Sequence, residues 1–247
     1  MLQAILLATV IAGGEANAGE VDARNEASFR VEKNEEGVLV SEGERRVLFY
    51  QRRPKALGGR YRRANYVHPL YGLDGEVLTE DFPADHLHHR GIFWAWHQLW
   101  VGGTKLGDGW ATRNFDWDVR SVRVQEQSDE NVALEAHVVW KSAAEEGGQT
   151  REVVEERTVI RVHRATEGAR KIDFEIGLRA LVSEVRIGGS EDEKGYGGFS
   201  VRVRGRIVVR RFMGWAGSGM VRARQGGMPG RQCSCCVVFR VAAYRVS

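Results

Sequence analysis

Residues 131–141, NVALEAHVVWK, decide the fold. Successive side chains of a strand point to opposite faces, so an extended chain here gathers Val132, Leu134, Ala136, Val138 and Trp140 on one side. The same period returns at 171–179, where Ile172, Phe174, Ile176 and Leu178 alternate with Lys171, Asp173, Glu175 and Arg179. One apolar face and one wet face is the pattern of an antiparallel sheet packed on one side. Residues 151–163 form a third long candidate strand, and 28–33, 37–41 and 46–51 read as short strands separated by charged or glycine-containing turns. Helical spacing is not sustained anywhere nearby. The expectation is therefore all-β, a single antiparallel β-sandwich rather than a βαβ fold.

The chain has 247 residues, 43% of them apolar and 28% charged, an ordinary balance for one large all-β domain with a proper core. Its net charge of +3 conceals an asymmetry. Every Asp and Glu lies at or before Glu193, and Phe199 to Ser247 holds ten Arg, no Lys and no acid. That end carries +10, leaving 3 − 10 = −7 for residues 1–198. Residues 1–18, MLQAILLATVIAGGEANA, join an apolar run to small residues and read as an export signal cleaved before Gly19, which implies a periplasmic or secreted protein. No other stretch is apolar for the roughly 20 residues a membrane-crossing helix needs. Residues 51–63, QRRPKALGGRYRR, read as a solvated basic loop, and 107–117, GDGWATRNFDW, as another loop.

Chemistry concentrates in 66–100, YVHPLYGLDGEVLTEDFPADHLHHRGIFWAWHQLW, which holds five of the seven histidines, five acids and three of the seven tryptophans. A segment meant only to pack would avoid such crowding, because these groups are costly to bury without partners. In 85–91, DHLHHRG, an extended backbone would send His86, His88 and Arg90 to one face and Asp85, Leu87 and His89 to the other. Two histidines at i and i+2 can chelate a divalent metal, or flank a substrate as base and donor. His86, His88, His89 and Arg90 are thus the candidate catalytic residues, with Glu80 as the nearest acid. His68, Asp85, His97 and the flat faces of Trp94 and Trp96 are candidate substrate contacts. Glu191, in the glycine-rich loop 188–198, GGSEDEKGYGG, is a further one, since glycines let backbone approach a ligand closely. His137 and His163, isolated on long strands, read as structural or surface residues.

The runs HPLYGLDGEVLTEDFPADHLHHRGIFWAW, GDGWATR and GGSEDEKGYGGFSVR together resemble the PmoA family, exported or periplasmic proteins frequent in Planctomycetes and often labelled "methane oxygenase". The similarity covers roughly 31–203, and Leu87 stands where that family usually has proline. The label implies a metal-dependent oxygenase. The resemblance also implies a β-sandwich similar to the galactose-mutarotase supersandwich, in which carbohydrate-active enzymes are common. The favoured expectation is an exported carbohydrate-active enzyme using His86, His88 and His89 as acid and base. A non-catalytic sugar-binding module and the oxygenase are the alternatives.

Residues 204–247 depart from the family pattern. They read as a non-native frame or a disordered arm, with the sandwich domain confined to 19–203 and incomplete at its C-terminal side. Missing strands would leave the Val132 to Trp140 stripe uncovered, and the runs Ile207 to Val209 and Val237 to Val241 would at most pair with each other. Cys233, Cys235 and Cys236 match no standard zinc or disulfide spacing, and nucleic acid is not the expected partner despite the arginines.

Overall fold

The computed structural model describes residues 28–142 and 150–204, and, by their backbone pairing, the strands Ile207–Arg210, Ser218–Ala223 and Cys236–Ala242. The export signal expected at 1–18 lies outside the described residues. Short strands come first: β1 (Phe29–Lys33), β2 (Gly37–Glu42), β3 (Arg45–Gln51), β4 (Lys55–Leu57), β5 (Arg60–Arg63), β6 (Tyr66–Leu70), β7 (Ile92–Trp96), β8 (Gln98–Val101) and β9 (Thr104–Gly107). Four long ones follow, β10 (Phe115–Gln127), β11 (Asn131–Ser142), β12 (Arg151–His163) and β13 (Ala169–Ala180). The order ends with β14 (Val185–Gly188), β15 (Gly197–Val201), β16 (Ile207–Arg210), β17 (Ser218–Ala223) and β18 (Cys236–Ala242). Among the described residues there is no helix, and hence none long and apolar enough to cross a membrane.

Two main sheets form a sandwich, one ordered β1-β2-β3-β6-β7-β15 and the other β10-β11-β12-β13-β18-β17-β16, with a small sheet β14-β8-β9 and the hairpin β4-β5 beside them. Pairing is antiparallel except between β13 and β18, which run parallel. The period-two reading holds in the long strands. Val132, Leu134, Ala136, Val138 and Trp140 are all buried, and so are Ile172, Phe174, Ile176 and Leu178. The expected uncovered stripe is therefore absent, because the first sheet lies over it in one continuous core. The arginine-rich end also departs from expectation. Val237–Val241 pairs with β13 and β17 rather than with Ile207–Val209, so the free edge of β13 is taken up.

The supposed basic loop 51–63 contains the hairpin β4-β5, because Gly58 and Gly59 take φ of +55° and +76°, the left-handed geometry that a tight two-residue turn demands. Inside the sandwich the sheets are joined by a polar contact. Glu156 of β12 is fully buried and accepts from Asn65 Nδ2 (2.8 Å), Trp94 Nε1 (2.7 Å), Trp140 Nε1 (2.7 Å) and the Thr158 hydroxyl (2.6 Å). Asn65 in turn accepts from the Tyr50 hydroxyl at 2.7 Å. Burial raises the Glu156 carboxyl above its ordinary value, against the pull of these four donors. A buried carboxylate without a cation persists because its lone pairs are met.

Candidate active site

Between β6 and β7 the chain makes an excursion whose neck is the bridge between Asp81 and Arg90. Eight residues must reverse direction there. They do so in two consecutive turns, closed by His86 N to Pro83 O (3.0 Å) and His89 N to His86 O (2.8 Å). The extended backbone expected for 85–91 is thus replaced by turns, and the alternation of faces goes with it. The consequence is tighter clustering of the histidines than a strand would give. His86 stacks on His89 with ring centroids 4.8 Å apart, His88 meets His89 edge-on at 4.5 Å, and His86 and His88 lie 5.9 Å apart.

Arg90 is separated from them. It is fully buried, ion-paired to Asp81, and donates to the carbonyls of Lys55 (3.1 Å) and Tyr61 (2.9 Å) and to the Tyr66 hydroxyl (2.6 Å). Its guanidinium lies 3.6 Å from the Phe82 ring centroid and 4.6 Å from that of Tyr66. With its donors taken up and both faces covered, Arg90 pins the neck of the loop instead of binding substrate. Gly91 follows at φ +36°, where a Cβ would stand 2.1 Å from the Val67 carbonyl, so only glycine lets β7 start this close to β6.

A fourth histidine joins the cluster from the end of β7. His97 stacks on Trp110 (centroids 5.5 Å apart), and His89 meets the same indole edge-on at 5.6 Å. Exposed Tyr196, from the glycine-rich loop, also stacks on Trp110 at 6.2 Å. His97 Nδ1 lies 3.1 Å from Asp108 Oδ2. Burial raises the Asp108 carboxyl, but hydrogen bonds from the Ala111 N–H, His97 and Arg113 outweigh it and hold the group below the usual carboxylate range. An ionised carboxylate has no proton to give, so Nδ1 carries the hydrogen and Nε2 is left as the free acceptor.

His88 and His89 are brought down to about 4. Burial is the main cause in both; His86, Arg63 and His97 add to it for His88, and His88, His86 and Arg202 for His89. At neutral pH both are uncharged bases. His86 is exposed, with Nδ1 3.0 Å from Asp85 Oδ2. Asp85 also accepts from Arg202 Nη2 (2.5 Å), and these two hydrogen bonds hold its carboxyl well below the usual range.

The other sequence candidates are dispersed. Glu80 pairs with Arg202 at 3.4 Å, beside Asp85. His68 Nδ1 bonds the Thr79 hydroxyl (3.0 Å), and burial lowers its pKa. Trp94 and Trp96 are core residues, 0% and 6% exposed, so neither offers a face to a ligand. Glu191 points to Lys105 at 3.2 Å on the surface of the loop whose Tyr196 reaches the cluster. His137 and His163 pair with Glu135 and Asp173 on strand faces, as structural residues would. The chelate open to His86 and His88 as one possibility rests on an extended backbone; the turns instead set their ring centroids 5.9 Å apart. Among the described residues no three His, Cys, Asp or Glu side chains are gathered so as to hold a metal ion. Sequence reading missed Asp108, Trp110, Tyr196 and Arg202, although GDGW and GYGG each place polar or aromatic residues among turn-forming glycines.

A family model described as a family of unknown function (DUF6807) matches residues 37–230. The chain belongs to that family. The matched span takes in β2 to β17, the histidine turns and the loop carrying Tyr196, and runs on past Val203. No curated protein and no solved structure matches the chain significantly.

Proposed function

We propose that this family member is an exported carbohydrate-active enzyme that moves protons at a sugar through its histidine cluster. The observation that carries the reading is that His86, His88 and His89 cluster in one turn and that His89 and His97, from two segments, meet on one indole, with His88 and His89 neutral at physiological pH and His97 held by a carboxylate. A general base must be unprotonated at the working pH, and His88 and His89 satisfy this. Either accepts a proton from a substrate C–H or O–H. His97 first takes a proton from solvent at Nε2, giving an imidazolium that Asp108 would stabilise, and then passes that proton to the oxygen that gains charge. Exposed Tyr196 supplies apolar surface of the kind that packs on a sugar ring. The resemblance to the PmoA family, and the galactose-mutarotase-like fold which that resemblance implies, add the carbohydrate class by analogy.

The test is incubation of the full chain with a panel of mono- and oligosaccharides in deuterated water, followed by NMR for product or for deuterium at carbon. Turnover in the wild type that is lost in His88→Ala and His89→Ala, and that survives treatment with a chelator, is the expected result. Sugar binding with neither product nor exchange would instead mark a binding module, and activity restored only by copper or iron would mark an oxygenase.

A further inference from the structure

A second place in the molecule is built to receive a ligand, away from the histidines. Where β10 meets the turn after β3, a groove of about 600 Å³ runs between Arg52–Pro54 on one side and Asp116–Val119 on the other. That volume lies within the roughly 300–1,000 Å³ of small-molecule sites. Its walls are ion pairs: Arg53 with Glu35 (3.1 Å), Lys141 with Asp118 (2.7 Å), and Arg62 with Asp116. Arg52 is exposed at the rim, and its guanidinium has no ion-pair or hydrogen-bond partner among the described residues. Four cations thus face three carboxylates, an excess of one positive charge.

The floor is Trp117, 3% exposed, whose indole N–H has no hydrogen-bond partner among the described residues. Against its ring, 4.3 Å from the centroid, lies the guanidinium of Arg63, 1% exposed. Arg63 donates to the carbonyls of Gly109 (2.7 Å) and Trp110 (3.1 Å), yet its Nε and Nη1 are also unpartnered. Among the described residues no carboxylate pairs with it, and burial together with the nearby charge of Arg90 lowers its pKa to about 9. A buried donor left unmet is destabilising, so the Trp117 N–H at the floor of the groove calls for an acceptor.

We propose that this groove binds a sugar acid, a polyhydroxylated ring bearing one carboxylate. The paired walls alternate donors with acceptors, as a ring of hydroxyls requires. A bare anion would meet three carboxylates with no hydroxyl hydrogens to offer them. The surplus cation at Arg52 matches a single carboxylate, and Trp117 at the floor reports on what the groove holds. The groove is a binding subsite distinct from the histidine cluster, and it stands whether or not the cluster is catalytic.

Titration of the full chain with D-glucuronate, D-glucose, acetate and inorganic phosphate tests this, read by calorimetry and by the indole N–H signal that disappears in Trp117→Phe. D-Glucuronate is expected to shift that signal and to bind at least about tenfold more tightly than D-glucose or acetate, the worth of one charge-assisted contact. Arg52→Gln, an exposed change that leaves the core intact, should remove that advantage, while His88→Ala should keep it. No binding of D-glucuronate, equal binding of phosphate or acetate, or affinity lost in His88→Ala and kept in Arg52→Gln would overturn the proposal.

Discussion

Strands β10–β13 and the turns at 83–90 answer the same period-two spelling in opposite ways. In β11 the alternation becomes a buried stripe against wet neighbours, and in DHLHHRG it becomes two turns. The difference lies in what stands at the ends. Each long strand has a ladder partner along most of its length, and β11 and β12 have one on both sides, so most of their backbone groups are met by pairing. The histidine segment is closed by one bridge at Asp81 and Arg90, leaving eight residues to double back. Alternation specifies a strand only where a neighbour supplies the ladder; elsewhere it leaves polar side chains free to cluster.

The contrast can be broken first at the cluster. His88→Ala should lower turnover by about 10²- to 10⁴-fold, the usual worth of a positioned base, with unfolding free energy changed by less than about 1 kcal/mol. Urea melts and rates measured on the same preparation check both halves. The reverse outcome, a collapse in stability with turnover kept, would make the cluster a packing device.

In the sandwich the signs exchange. Glu156→Ala leaves the indoles of Trp94 and Trp140, and the amide of Asn65, without their acceptor. It should cost more than about 3 kcal/mol in urea denaturation, since each stranded donor is worth roughly 1–3. Arg90→Met sits between the two regions. Removing one partner of a buried pair should cost about 3–5 kcal/mol and disturb the loop as a whole; intact stability with lost substrate affinity would return Arg90 to the site. The smallest effect belongs to Tyr196→Ala, expected to raise KM by a few fold and leave the melting temperature within about 2 °C, as suits one exposed ring contact.

Much of the sandwich was legible because burial and spacing say the same thing at Val132 through Trp140 and at Ile172 through Leu178. The gathering of chemistry at His86, His88 and His89 was legible from residue type alone. Their geometry was not, since the bridge that forces the turns depends on Arg90 finding Asp81, Tyr66 and the Lys55 and Tyr61 carbonyls inside the fold. Asp108, Trp110 and Tyr196 escaped for a related reason: they come from separate loops, and only the sheets β14-β8-β9 and β7-β15 bring those loops to His97. Trp94 and Trp96 looked like ligand platforms because nothing in the sequence shows that β7 is covered on both faces.

The burial that makes His88 and His89 bases also sets a pH dependence of stability. Their folded values near 4 lie below the ordinary 6.5, so between those limits the unfolded chain binds more protons than the native one. Stability contributed by the neutral imidazoles is complete above about pH 6.5 and is lost as pH falls through about 4. The central claim is that these two rings are held neutral in the cluster of His86, His88 and His89 that borders Trp110. An NMR titration of the imidazole C–H signals, assigned by His88→Ala and His89→Ala, tests it most directly. The account expects both to change protonation at about pH 4. Midpoints at the ordinary value of about 6.5 would contradict it.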